Sequence, residues 1–126
     1  MIPQALITFL PSHDLGRSAD FYTDVLNLSL VLDQGTCLIY RVTESSFIGV
    51  CKRDEFGDAE PVITTIVADD VDGWYRQITG AGWSDVSEPE HSDTYKLYHI
   101  WITDPDGNKL EIQRFDDQDW AGGTQT

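Results

Sequence analysis

Two stretches of this chain, "HDLGRSADFYTDVLNLSL" at 13–30 and "DDVDGWYRQITGAGWSDV" at 69–86, follow one plan, and that repetition constrains the fold more than any other feature. Each holds an Asp able to cap a helix, an amphipathic run, and then a residue type that accepts a left-handed backbone, Asn27 in the first and Gly82 in the second. Val71, Trp74, Tyr75, Ile78 and Ala81 recur at helical spacing in the second copy; Phe21, Val25 and Leu28 do so in the first, with Tyr22 alongside. A strand-like run leads each helix, "ALITFL" and "PVITTIV". Three more follow it: "LSLVLD", "CLIYRV" and "SFIGVCK" in the first half, and a weak run near "WSDVSEP", then "LYHIWIT" and "KLEIQRF", in the second. The pattern predicts an α+β domain at 1–115 built from two tandem β-α-β-β-β modules, at 1–54 and 61–115. The polar "DEFGDAEP" makes the seam, and residues 116–126 make an acidic tail.

The alternation of the last hairpin fixes the side of each residue. "DPDGN" at 104–108 combines a proline with Gly and Asn, residues suited to a tight reversal and tolerant of positive φ. Beyond it Leu110 and Ile112 share one face, and Glu111 and Gln113 the other. In the incoming strand Ile100 and Ile102 pack with the first set, while His99 and Trp101 join the second. A symmetric turn places Trp101 opposite Glu111 and His99 opposite Gln113, with His99 and Glu111 as diagonal neighbours. A carboxylate among apolar neighbours needs a partner or water.

Charge narrows the partners. The 126 residues carry 22 acidic against 8 basic side chains, a formal net charge of −14, which makes nucleic acid or an anionic membrane surface an unfavourable partner. Sixteen of the acids are Asp and only three residues are Lys, a balance that suits hydration in high salt, attraction of a cationic ligand, or simply a solvated surface. No apolar run is long enough to span a bilayer, and the N-terminus lacks the basic start and cleavage site of a secretory signal, so a cytoplasmic location is expected. Cys37 and Cys51 show no metal-type spacing and no disulfide-scaffold density, and free thiols are expected.

The duplicated plan, the helix entry "SADFYTDVLNL" and above all "DPDGNKLEI" resemble the vicinal oxygen chelate superfamily, which holds glyoxalases, bleomycin-resistance proteins, fosfomycin-modifying enzymes and extradiol dioxygenases. The resemblance covers residues 5 to 115. It implies two modules whose curved sheets form an open, barrel-like cavity with helices outside, and a homodimer. Metal-dependent members place His or Glu at four cavity positions, two from each module. Here those positions fall at Ile7, Gly49, Val62 and Glu111, so only the carboxylate is kept. A catalytic zinc usually takes three protein ligands, and hard cations take several oxygens, so no metal and no other cofactor are expected.

With the metal set absent, the cavity is expected to be lined by Phe9, Cys51, Thr64, Ile66, Trp101 and Gln113, with Gly49 leaving room and Glu111 and His99 as the groups able to do chemistry. Each has a plainer alternative: His99 as a hydrogen-bonded strand histidine, Trp101 as core filling, Cys51 as a small hydrophobe. His13 and His91 fall in polar, loop-like surroundings and read as surface residues, and Tyr95 with Tyr98 reads as a lid or as packing. The favoured function is a metal-independent binding protein of the bleomycin-resistance type that sequesters a small, cationic, partly aromatic molecule. The alternative is an enzyme, a lyase, isomerase or dioxygenase-like protein, using Glu111 with His99 for proton transfer or through a remodelled metal site.

Overall fold

Each module of the chain builds one four-stranded mixed sheet, and the two sheets do not close into a barrel. The computed structural model describes residues 3–55 and 62–119; most of the expected seam and the tail from 120 onward, Trp120 included, lie outside the described residues. Module one runs β1 (Leu6–Ser12), α1 (Leu15–Asp20) with a π-helical turn at Phe21–Val25, β2 (Ser29–Asp33), β3 (Cys37–Thr43) and β4 (Ser46–Lys52). Module two runs β5 (Ile63–Val67), α2 (Val71–Gly80), β6 (Glu90–Ser92), β7 (Leu97–Thr103) and β8 (Lys109–Phe115). The strand orders, β1-β4-β3-β2 and β5-β8-β7-β6, are the same arrangement twice. In each, the strand before the helix pairs in parallel with the last strand.

The helix signals act as expected. Asp14 accepts from the Arg17 amide at 3.2 Å and Asp70 from the Gly73 amide at 2.9 Å, each satisfying a donor that the first helical turn leaves free. Asn27 at φ 59° and Gly82 at φ 86° end the two helical segments in the left-handed region. The weak strand of module two lies further on than "WSDVSEP": only Val86 bridges to Ile102 there, and the paired strand is Glu90–Ser92. Among the described residues no helix is long and apolar enough to cross a membrane.

One apolar core serves both modules. Leu10, Tyr40, Ile48 and Val50 from the first sheet meet Ile66, Ile100, Ile102, Leu110 and Ile112 from the second, with Phe21, Tyr22, Val25, Leu26, Val71 and Ile78 from the helical segments between. Alternation sends every second strand residue into this core, so the other faces of both sheets stay outside it. Large apolar side chains remain exposed there and along the two leading strands, among them Ile7, Phe9, Ile63 and Val67. Ile100, Ile102, Leu110 and Ile112 are all buried, and losing any one to alanine costs about 2–5 kcal/mol by removed contacts and residual cavity.

The "DPDGN" turn does more than reverse the chain. Asp104 Oδ1 accepts from the amides of Asp106 (2.9 Å) and Asn108 (2.8 Å), and its Oδ2 accepts from Tyr22 Oη (2.9 Å) and Asn108 Nδ2 (2.8 Å). Asn108 Nδ2 also reaches the Pro11 carbonyl at 3.0 Å. Asp106 meets the entry of α1 from the other module, taking the His13 amide at 2.9 Å, Arg17 Nη2 at 3.1 Å and Ser18 Oγ at 3.0 Å. The motif therefore clasps module two to module one. Gly107 supplies the positive φ of 86°, whereas Asn108 serves through its amide and not, as its residue type suggested, through a left-handed backbone.

Burial drives the Asp104 carboxyl above the usual range against the pull of its donors. Asp106 is also partly desolvated, but the His13 amide, the Ser12 and Ser18 hydroxyls and Arg17 together hold it below that range. Tyr22, buried against Asp104, is pushed well up and stays protonated, as its role as donor requires.

The cysteines correct the sequence reading. Cys37 and Cys51 stand directly opposite each other across β3 and β4, with Cα atoms 4.1 Å apart, and are joined in a disulfide. Composition gave no hint of it, because the pairing is created by the register of a hairpin rather than by cysteine spacing.

Candidate functional site

The face of β7 and β8 turned away from the core carries the candidate site. The register is the symmetric one: Trp101 opposes Glu111 and His99 opposes Gln113. Leu110 and Ile112 are buried in the core, so the pleat places Glu111 and Gln113 on the opposite side with His99 and Trp101. These four, with Ile63, Tyr95, Leu97 and Phe115, line a depression of about 460 Å³.

Glu111 is 9% exposed and both of its oxygens are engaged. Thr65 Oγ1 donates to Oε1 at 2.9 Å, and His99 Nδ1 lies 2.6 Å from Oε2. This answers the demand that a carboxylate among apolar neighbours makes on its surroundings. The His99 ring stands 5.6 Å from the Trp101 ring, tilted by 59°, so the imidazole and the indole bound the same space. Lys109 sets its ammonium 5.8 Å from the centre of the Trp101 ring. Gln113 is 7% exposed beside them.

Four expected lining residues lie elsewhere. Thr64 and Ile66 pair in register with Leu110 and Ile112, so they turn toward the helices, and Ile66 belongs to the core. Their neighbours Ile63, Thr65 and Val67 take the outer face instead. Phe9 and Cys51 are on the outer face of the first sheet, not beside the depression, and Cys51 is tied to Cys37. The sequence reading did not include Ile63, Thr65, Leu97 and Phe115. Leu97 and Phe115 were within reach of it, since they continue the alternation of His99 and Gln113 by two residues.

His13 donates its amide to Asp106 and so helps close the clasp. His91 is at the surface, between Asp93 (Nδ1 to Oδ1, 3.1 Å) and Asp116 (Nε2 to Oδ2, 2.8 Å), and the Asp116 bond above all raises it. Tyr95 borders the depression, while Tyr98 is held by Asp72 and lies under Arg114.

Among the described residues, the positions where the resemblance expects metal ligands supply one donor, Glu111. The parallel register aligns the two leading strands at equal distance before their caps, so the counterpart of Ile7 is Ile63 and not Val62, and neither offers a donor. The counterpart of Glu111 in module one is Gly49, which faces Phe9 as Glu111 faces Thr65. A Cβ at Gly49 would run into the Phe9 ring, so the space that a ligating side chain would need is taken by an aromatic one. Among the described residues no group of three or more His, Cys, Asp or Glu is placed to hold a metal ion.

Comparison with known proteins agrees with this architecture. The sequence model described as "Glyoxalase/Bleomycin resistance protein/Dioxygenase superfamily" matches residues 4–112. A search of curated proteins gives no match. Among solved structures, the bleomycin resistance determinant encoded on the transposon Tn5 superposes with a TM-score of 0.77 at 21% identity, over 91% of this chain and 99% of that one. A bleomycin-binding protein complexed with bleomycin gives 0.75 at 21% identity, over 90% and 98%. Lactoylglutathione lyase from Agrobacterium tumefaciens gives 0.71 at 22% identity, over 89% and 94%. At these identities the likeness is one of fold.

Proposed function

Since this chain belongs to the Glyoxalase/Bleomycin resistance protein/Dioxygenase superfamily, we propose that it binds a small organic molecule on the outer face of its second sheet without a metal ion. The observation that carries the reading is the donor set: Glu111 is bonded to Thr65 and His99, and the positions that would complete a metal site are Ile7, Gly49 and Ile63. What remains is an aromatic and apolar depression with a few convergent polar groups, the usual lining of a small-molecule site. Two of the proteins of like fold are named for binding or resisting bleomycin, which favours sequestration over turnover. A ligand with a positive charge suits the net charge of −14 by long-range attraction.

A homodimer is part of this proposal. β1 and β5 end their sheets, and Ile7, Phe9, Ile63 and Val67 lie exposed on them. A second copy covering these faces would remove the free strand edges and turn the open depression into an enclosed one.

The hydrogen bond from His99 to Glu111 favours a second reading, proton transfer on a carbonyl substrate, since a positioned imidazole and carboxylate are the parts such a step needs. Native mass spectrometry of protein purified from its own host, with metal analysis on the same sample, tests the proposal. An organic adduct without stoichiometric metal is the expected result. One equivalent of metal that survives dialysis overturns metal independence, and turnover of the released adduct on re-addition selects the second reading.

A further inference from the structure

We propose that Glu111 acts as a positioning residue that fixes the tautomer of His99, so that His99 Nε2 meets the ligand as a hydrogen-bond acceptor, and that the ligand is a planar aromatic molecule with an O–H or N–H donor on its edge. The inference rests on reading the second sheet's depression as the binding site, and it narrows the chemistry of the occupant.

An ionised carboxylate can only accept, so the 2.6 Å contact requires His99 Nδ1 to carry the proton. In the neutral imidazole the lone pair is then at Nε2. Thr65, donating to the other oxygen of Glu111 at 2.9 Å, keeps the carboxylate from turning away. His99 bonds through Nδ1, and no hydrogen bond at its Nε2 exists among the described residues. The Gln113 side chain, in register with His99 and more than nine-tenths buried, also makes no side-chain hydrogen bond among the described residues. Two adjacent polar groups thus border the aromatic depression with no protein partner among the described residues, one an acceptor and one able both to give and to accept.

The same geometry disfavours a quaternary ammonium as the recognised group. Such a group has no O–H or N–H to give to His99 Nε2 or to the Gln113 amide, which border the same space as the Trp101 ring. A flat ring with a donor on its edge instead stacks on Trp101 while its O–H or N–H reaches Nε2. Gln113 then pairs with a second polar atom of the same edge.

Full-length protein labelled with nitrogen-15 provides the test. Long-range imidazole spectra should show His99 protonated at Nδ1 and bare at Nε2, and Glu111→Gln should shift it toward the Nε2–H tautomer. Trp101 and His99 resonances are then followed during titration with 4-cyanophenol, its methyl ether 4-cyanoanisole, and benzyltrimethylammonium. The phenol should bind about tenfold tighter than the ether, as one hydrogen bond to a preorganised acceptor allows, and Glu111→Gln should remove most of that preference. A His99 proton on Nε2 in the native protein overturns the proposal. So does equal affinity for phenol and ether, tighter binding of the ammonium probe, or no response to any probe. An adduct in the native mass spectrum would leave the broader binding function standing in each of those cases.

Discussion

His99 and Glu111 are not opposite each other in the β7–β8 ladder but two residues out of register, and it is this diagonal that brings Nδ1 within 2.6 Å of Oε2. The directly opposed partner of Glu111 is Trp101.

Replacing Glu111 with Gln keeps an acceptor for Thr65 or for His99 but removes the charge from both bonds. A loss of about 1–2 kcal/mol is expected, because hydrogen bonds to a charged partner exceed neutral ones by that order and the site is partly open to water. Urea unfolding followed by far-ultraviolet circular dichroism measures it. A loss large enough to unfold the chain at 25 °C would mark Glu111 as a fold residue.

The clasp is the more fragile element. Asp104 is 3% exposed and accepts four hydrogen bonds, from two backbone amides, Tyr22 and Asn108. Asp104→Ala should cost about 3 kcal/mol or more by leaving buried donors unmet, and Tyr22→Phe about 1–2 kcal/mol. The two should not add, since each removes the same Tyr22–Asp104 bond. A double-mutant cycle in denaturant reads the coupling.

Stability should depend on pH in three separable ways. Native Asp104 keeps its proton above the ordinary 3.8, so its contribution declines as pH rises from there through its raised native value. Asp106 works in the opposite sense, stabilising above 3.8 and losing that effect as pH falls through its lowered value. His91, raised above 6.5 by Asp116 and Asp93, contributes fully below 6.5 and loses its effect as pH rises through its native value. Melting temperatures of the wild type and His91→Gln should therefore differ more at pH about 5.5 than at about 8.5, by a small amount because the ring is at the surface. Curves that stay parallel would remove His91 from the account.

Reduction of Cys37–Cys51 should lower stability by at most about 3 kcal/mol, the chain-entropy value for a closed loop of this size. The loop it closes is already a hairpin with β3 and β4 in register, so the sheet should survive the Cys37→Ser, Cys51→Ser double variant. Thermal unfolding with and without reductant gives the difference. Loss of the native circular dichroism spectrum in the double variant would mean that the bridge, not the strand pairing, holds module one together.

The duplicated plan, both helix caps, the left-handed stops at Asn27 and Gly82, and the four-residue wall of His99, Trp101, Glu111 and Gln113 were all determined by sequence alone. Each depends on local physics: a side chain that satisfies a free amide, a residue that accepts positive φ, or a two-residue period anchored by a turn of known length. Tertiary structure decided the rest. The run "ITTIV" has apolar and hydroxyl residues on both faces, so its own pattern carries no phase; only its parallel pairing with β8 turned Ile63 and Thr65 outward and Thr64 and Ile66 inward. The disulfide needed the register of a hairpin, and the Asp104 and Asp106 clasp needed two modules brought together, with partners 82 and 93 residues away in the chain. The separation of Phe9 and Cys51 from the depression follows from the shared core, because packing both sheets against the same helical segments turns their remaining faces outward. A repeat specifies each half of such a molecule, but which face of one half meets the other is set by the apolar surface that the two can bury together.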